Sequence, residues 1–87
     1  MVTKEVKIKN QTGLHARPAA LLVDVANKFE SELKIIHGNK EANVKSIISL
    51  ISLAIGCDDA VIIQGDGVDE EEAVAEIATI IKGKFNE

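Results

Sequence analysis

Residues 12–20 read TGLHARPAA, so a histidine and an arginine flank one alanine and the chain's only proline follows at once. An imidazole nitrogen is a nucleophile, and a guanidinium is a planar fork of donors that matches phosphate. Set at the start of a helix, these types acquire a specific use. With His15 as N-cap, Ala16, Arg17 and Pro18 fill the first turn, where a proline forfeits no helical hydrogen bond. The backbone N–H groups of Ala16 and Arg17 then lack intrahelical partners, and together with the helix dipole they form an anion site. Gly13 lets the preceding turn bend tightly enough to bring the imidazole to the helix mouth. The chemistry this suits is capture of a phosphoryl group on nitrogen, with its charge steadied afterwards. A histidine at a helix start is also a common polar surface residue, and spacing alone does not choose between the two.

The elements that must hold this segment can be read from periodicity. Val2, Val6 and Ile8 fall on even positions between polar residues, the pattern of a half-buried strand. Asn10 to Gly13 is a turn cluster. Ala19, Leu22, Ala26 and Phe29, with Leu21 and Val25 beside them, predict a helix over residues 16–28. Leu33 to His37 predicts a strand, Gly38-Asn39 a hairpin loop, and Lys40 to Lys45 the return strand. Ser46 opens a short helix over 47–53, with Gly56 as its terminator. Ala60 to Gln64 predicts another strand, and Gly65-Asp66-Gly67 a turn into the last helix. Asp69 is read there as N-cap, Glu72 as the other half of a capping box, and Glu70 and Glu71 as acids at the positive end of the helix. Lys82 and Lys84 complement the other end, and Val74, Ile77, Ile80 and Ile81 form the buried stripe. The order β-α-β-β-α-β-α implies a two-layer α+β domain over residues 1–87, an antiparallel sheet with one face covered by helices and the other wet.

Composition limits what such a domain does. With 10 Lys and Arg against 14 Asp and Glu, and only Phe29 and Phe85 as aromatics, it lacks the charge and stacking surface for nucleic acid. The longest apolar stretch, Ile47 to Gly56, falls short of the ~20 residues that span a bilayer, and no apolar signal core precedes it. Cys57, the single cysteine, excludes an internal disulfide and fits a reducing cytoplasm. No Gly-rich nucleotide loop or set of metal ligands is present, so neither cofactor nor metal is expected. His37 reads as a surface residue without partners, and Cys57 has no neighbour that would make it catalytic.

The stretch TGLHARPAALLV resembles the phosphorylated segment of HPr, the histidine-containing phosphocarrier of the bacterial sugar phosphotransferase system. The likeness covers essentially the whole chain: its length, element order, the segment VKSIISLISLAIG and the acidic start of the last helix. It implies an open-faced β-sandwich, with a four-stranded sheet under three helices, in a monomeric carrier rather than an enzyme. It implies that His15 takes phosphate on Nδ1 from enzyme I, charged by phosphoenolpyruvate, and passes it to sugar-specific IIA components. Arg17 matches the arginine that contacts the phosphoryl group, with Ala16 and Pro18 completing the segment around it. Ser46 matches a serine phosphorylated by HPr kinase/phosphorylase in many Gram-positive bacteria. Ile47, Ile48 and Ile51 match an apolar patch that touches enzyme I, the kinase and a catabolite-control regulator.

That patch also has a warrant in the residues. Ile47, Leu50, Ile51 and Ala54 share one side of the short helix, and Ile48, Leu53 and Ile55 widen the arc past half the circumference. So small a domain can seldom bury so wide a face, and an exposed apolar patch suggests a partner. Some positions depart from the family: Ile48 and Ile51 stand where methionine is common, and Asp24 and Asn27 alter the first helix's outer face. Asn39 replaces a hairpin glycine. Lys45 is compatible with phosphate at Ser46. Two other readings stay open: a purely regulatory, Crh-like relative, which would lack the reactive histidine, and an unrelated binding module in which His15 is structural.

Overall fold

A computed structural model of the chain describes residues 1–86; residue 87, the end of the expected domain, lies outside the described residues. The elements follow the expected order: β1 (Val2–Lys7), α1 (Ala16–Ala26), β2 (Glu32–His37), β3 (Lys40–Asn43), α2 (Ile47–Ile51), β4 (Ala60–Asp66) and α3 (Glu70–Lys82), with a 3₁₀ turn at Lys84–Asn86. The four strands form one antiparallel sheet in the order β1-β4-β2-β3. Alternation decides the two faces. Val6, Leu33, Ile35, Ala42, Val61 and Ile63 point into the core, where Leu22 of α1, Leu50 of α2 and Ile77 and Ile81 of α3 meet them. On the other face Glu5, Ile62, Ile36 and Glu41 lie side by side across the four strands, the apolar pair flanked by acids. Among the described residues no helix is long and apolar enough to cross a membrane.

Several boundaries differ from those read in the sequence. The return strand β3 stops at Asn43, because Ser46 N–H bonds back to Asn43 C=O (3.0 Å) and closes a turn through Val44 and Lys45. Helix α2 ends at Ile51 rather than at 53. Leu53 and Ala54 N–H reach Leu50 and Ile51 C=O, tightening the last turn, and it is Ala54, before the expected terminator Gly56, that takes the left-handed conformation (φ 53°). Gly65 and Asp66 belong to β4, not to a turn. A Cβ on Gly65 would stand 2.7 Å from Val74 Cγ2, so this glycine lets α3 lie close on the sheet.

The start of α3 departs furthest from the expected capping box. Asp69 occupies the N-cap position, but its carboxylate caps nothing in its own helix. It accepts instead from Glu30 N–H and Ser31 N–H, each at 2.9 Å, and from the Ser31 hydroxyl, clasping the loop after α1. Ser31 is fully buried beneath Gly67. Glu72 takes no part in a capping box; Gly67 N–H donates to Glu70 Oε1 at 3.1 Å. The Ser31 hydroxyl, followed by Glu30 N–H, holds the Asp69 carboxyl below the usual aspartate range. At the far end only Lys82 lies in the last turn, and Lys84 falls beyond Gly83.

Candidate functional site

His15 has extended backbone (φ −103°, ψ −164°) and is the N-cap of α1, with its side chain uncommitted to any cap bond. The first helical bond runs from Ala19 N–H to His15 C=O at 2.9 Å, so the N–H groups of Ala16 and Arg17 have no intrahelical acceptor. His15, Ala16 and Arg17 are exposed, whereas Pro18 is buried and anchors the turn to the core. His15, Ala16 and Arg17 therefore lie together at the start of α1, with two amides left over from the helix ladder.

What holds that mouth comes from both sides. The buried Asn10 side chain donates to Gly13 C=O (2.8 Å), and Gly13 N–H returns to Asn10 C=O (3.2 Å). Gly13 has φ 68°, and a Cβ there would sit 2.5 Å from Ile55 O and 2.9 Å from Gly56 Cα. Leu14, buried, donates its N–H to the same Ile55 C=O at 3.0 Å. The loop before His15 therefore rests on the segment that follows α2.

That second segment is strained and heavily tied. Ala54 and Asp58 are both left-handed (φ 53° and 72°), a conformation that costs a residue with a side chain about 1–2 kcal/mol. Such backbone persists where neighbours over-determine it. Here Ile8 N–H bonds Asp59 C=O (2.9 Å), Asp58 N–H bonds Ile8 C=O (2.6 Å), and Gly56 N–H bonds Asp59 Oδ2 (2.8 Å). His37 is not partnerless, as the sequence suggested. The antiparallel register brings the end of β2 beside the start of β4, and His37 Nε2 lies 3.6 Å from that same Asp59 oxygen.

Helix α2 packs against α1 and carries the other candidate residues. Ser46 is its N-cap and half-buried, its Oγ accepting from Ser49 N–H at 3.2 Å. Leu50 is wholly buried, while Ile47, Ile48 and Ile51 are 40%, 81% and 40% exposed. The apolar patch exists. Lys45 donates Nζ to Phe29 C=O at 2.8 Å. Cys57 is exposed, with Sγ 3.8 Å from Lys9 C=O. Asp24 on α1 and Asn27 at its C-cap are exposed. Among the described residues no cluster of three His, Cys, Asp or Glu could hold a metal ion. The sequence singles out the residues of the helix mouth, but not its support: Asn10 reads there only as part of a turn, Ile55 only as part of the apolar arc, though it is buried, and Asp59 has no role.

His15 is exposed at the start of α1, and the helix that carries the exposed isoleucines packs against α1. Residues 2–83 match the family described as PTS HPr component phosphorylation site. The HPr-like protein Crh of Halalkalibacterium halodurans is 46% identical over 82 residues, 94% of this chain and 98% of its own. Phosphocarrier protein HPr of Mycoplasma genitalium is 49% identical over 76 residues, 86% of each chain. A crystal structure of HPr-C-His from Thermoanaerobacter tengcongensis superposes with a TM-score of 0.96 at 44% identity, covering 100% of this chain and 98% of that one.

Proposed function

Because this chain belongs to the HPr family, the phosphocarriers of the phosphotransferase system, we propose that it takes a phosphoryl group on His15 Nδ1 from enzyme I and passes it to IIA components. The observation that carries this is the helix mouth: an exposed N-cap imidazole beside the unbonded N–H groups of Ala16 and Arg17. In-line attack by the ring nitrogen forms the N–P bond as the donor's P–N bond breaks, so the group moves between imidazoles of similar leaving ability. The amides, the helix dipole and the Arg17 fork steady the added negative charge. The chain is a carrier and not a catalyst, acting in the cytoplasm with no cofactor of its own.

Docking falls to Ile47, Ile48 and Ile51, whose exposure beside α1 suits a partner that must bring its own histidine within reach. Ser46 is the point of control in this reading. A phosphate on it places roughly two negative charges at a helix start, which suits the helix, but plants them at the edge of an apolar contact. Inhibition then arises at the interface with enzyme I and leaves the fold intact.

Incubation with phosphoenolpyruvate and enzyme I, followed by intact-mass measurement, tests the proposal. We expect one acid-labile phosphoryl increment, absent from His15→Ala and complete at end point in His37→Ala. Arg17→Ala should fold normally and transfer slowly. A label that persists in His15→Ala refutes the assignment. A parent protein that takes no label at all favours the purely regulatory role, for which the likeness to Crh speaks.

A further inference from the structure

We propose that Asp59 is a positioning residue for His15, acting through the strained segment between α2 and β4; the inference rests on His15 being the phosphate acceptor. One carboxylate oxygen, Asp59 Oδ2, accepts Gly56 N–H at 2.8 Å and faces His37 Nε2 at 3.6 Å. Gly56 and Ile55 are the surface on which the His15 loop sits. Ile55 C=O holds Leu14 N–H at 3.0 Å, and Gly13 approaches both residues too closely to admit a side chain. Leu14 precedes the acceptor directly. A contiguous path thus runs from Asp59 through Gly56 and Ile55 to Leu14 and His15.

The segment has a reason to move when released. Ala54 and Asp58, on either side of Gly56, are left-handed without being glycine. The Asp59 side chain is a tie across this strained turn, joining Gly56 to the start of β4. Asp59 directly precedes β4, and His37 Nε2 at the end of β2 lies 3.6 Å from the same carboxylate oxygen, so the sheet is the frame against which the loop is set. The docking isoleucines are held differently, by the Ser46 cap and the burial of Leu50. Loss of Asp59 therefore disturbs the reacting group and spares the docking surface. In kinetic terms it lowers the turnover rate and leaves the concentration dependence alone, since small misplacements of a reacting atom are felt mainly in the transition state.

The experiment uses the full chain as acceptor in the phosphoenolpyruvate and enzyme I reaction, with amide hydrogen exchange on the same samples. In Asp59→Ala we expect kcat to fall about tenfold with KM for the carrier unchanged. Leu14 N–H should exchange about tenfold faster while Ile35 and Ile63 in the sheet keep parental rates, which marks a local release. Asp59→Asn keeps an oxygen acceptor for Gly56 N–H and should recover most of both. The proposal is overturned if Asp59→Ala matches the parent in kcat and Leu14 exchange, or if KM alone rises. It is also overturned if sheet and loop amides accelerate together in both variants, which is a stability effect only. Should the parent itself take no phosphate, the functional reading fails, and Leu14 exchange still decides whether Asp59 sets the loop.

Discussion

Gly13 and Gly38 have nearly the same backbone, φ 68° and 64°, but opposite surroundings. A Cβ on Gly38 meets nothing within 4 Å, whereas one on Gly13 meets backbone atoms at 2.5 and 2.9 Å. Substituting alanine at each separates two penalties that usually arrive together. The left-handed conformation alone costs about 1 kcal/mol or a little more and applies to both. Forcing an atom into a backbone contact adds about 1–3 kcal/mol, and only at Gly13. In a domain of this length each kcal/mol moves the melting midpoint by about 4–8 °C. We therefore expect Gly38→Ala to melt about 4–8 °C below the parent and Gly13→Ala at least ~8 °C below it and further than Gly38→Ala. Thermal unfolding followed by far-ultraviolet circular dichroism measures both, and phosphate acceptance should be compared at temperatures where each is fully folded. There Gly13→Ala should still transfer more slowly, because the displaced loop includes His15. Equal losses of melting temperature in the two variants would refute the close approach of residues 13 and 55–56.

Ile48→Asp should stay within about 0.5 kcal/mol of the parent, as an exposed substitution does, yet bind enzyme I several-fold more weakly in a calorimetric titration; a large stability loss would mean that Ile48 is buried. Ser46→Asp keeps an acceptor at the N-cap and should melt at or slightly above the parental temperature while transferring phosphate more slowly, with part of the slowing relieved by salt. If transfer fell only in proportion to unfolded protein, the interface account of Ser46 would be wrong. The Asp69 carboxyl is depressed on folding, so its contribution is complete above the unfolded value of about 3.9 and is lost as pH falls through the folded one. Asp69→Asn should be less stable than the parent at neutral pH and lose less on acidification, a difference that unfolding at a series of pH values would reveal.

What the sequence disclosed and what it withheld divide along physical lines. Element order, the hairpin, the helix mouth and the exposed isoleucines all follow from rules acting over a few residues: alternation, the 3.6-residue stripe, and a proline that tolerates a first turn. Where a residue's role depends on chain far away in number, the local rule misled. Asp69 has the spacing of a capping box, but its partners Glu30 and Ser31 lie nearly forty positions earlier, and a buried serine outcompetes the helix's own amides. His37 seemed idle because Asp59 reaches it only when β2 and β4 pair. Gly56 looked like a helix terminator, yet the bend falls on Ala54, whose unfavourable backbone is held by ties from Ile8 and Asp59 to the segment behind it.

The strand order has a consequence for how the molecule is made. Among the described residues β1 pairs with β4 alone, and β4 is the last of the four strands to leave the ribosome. At ordinary rates of synthesis the first strand waits roughly 3–10 s for its partner. Through that interval the loop that follows β1 has neither Ile55 to receive Leu14 nor Asp59 to steady Gly56. Pairing across so long an intervening stretch is also entropically slow, so β1 docks late even in a released chain. Gly13 to His15 thus takes its final shape only after chain made much later has arrived, and a nascent chain interrupted before Ile55 lacks the surface on which this loop rests.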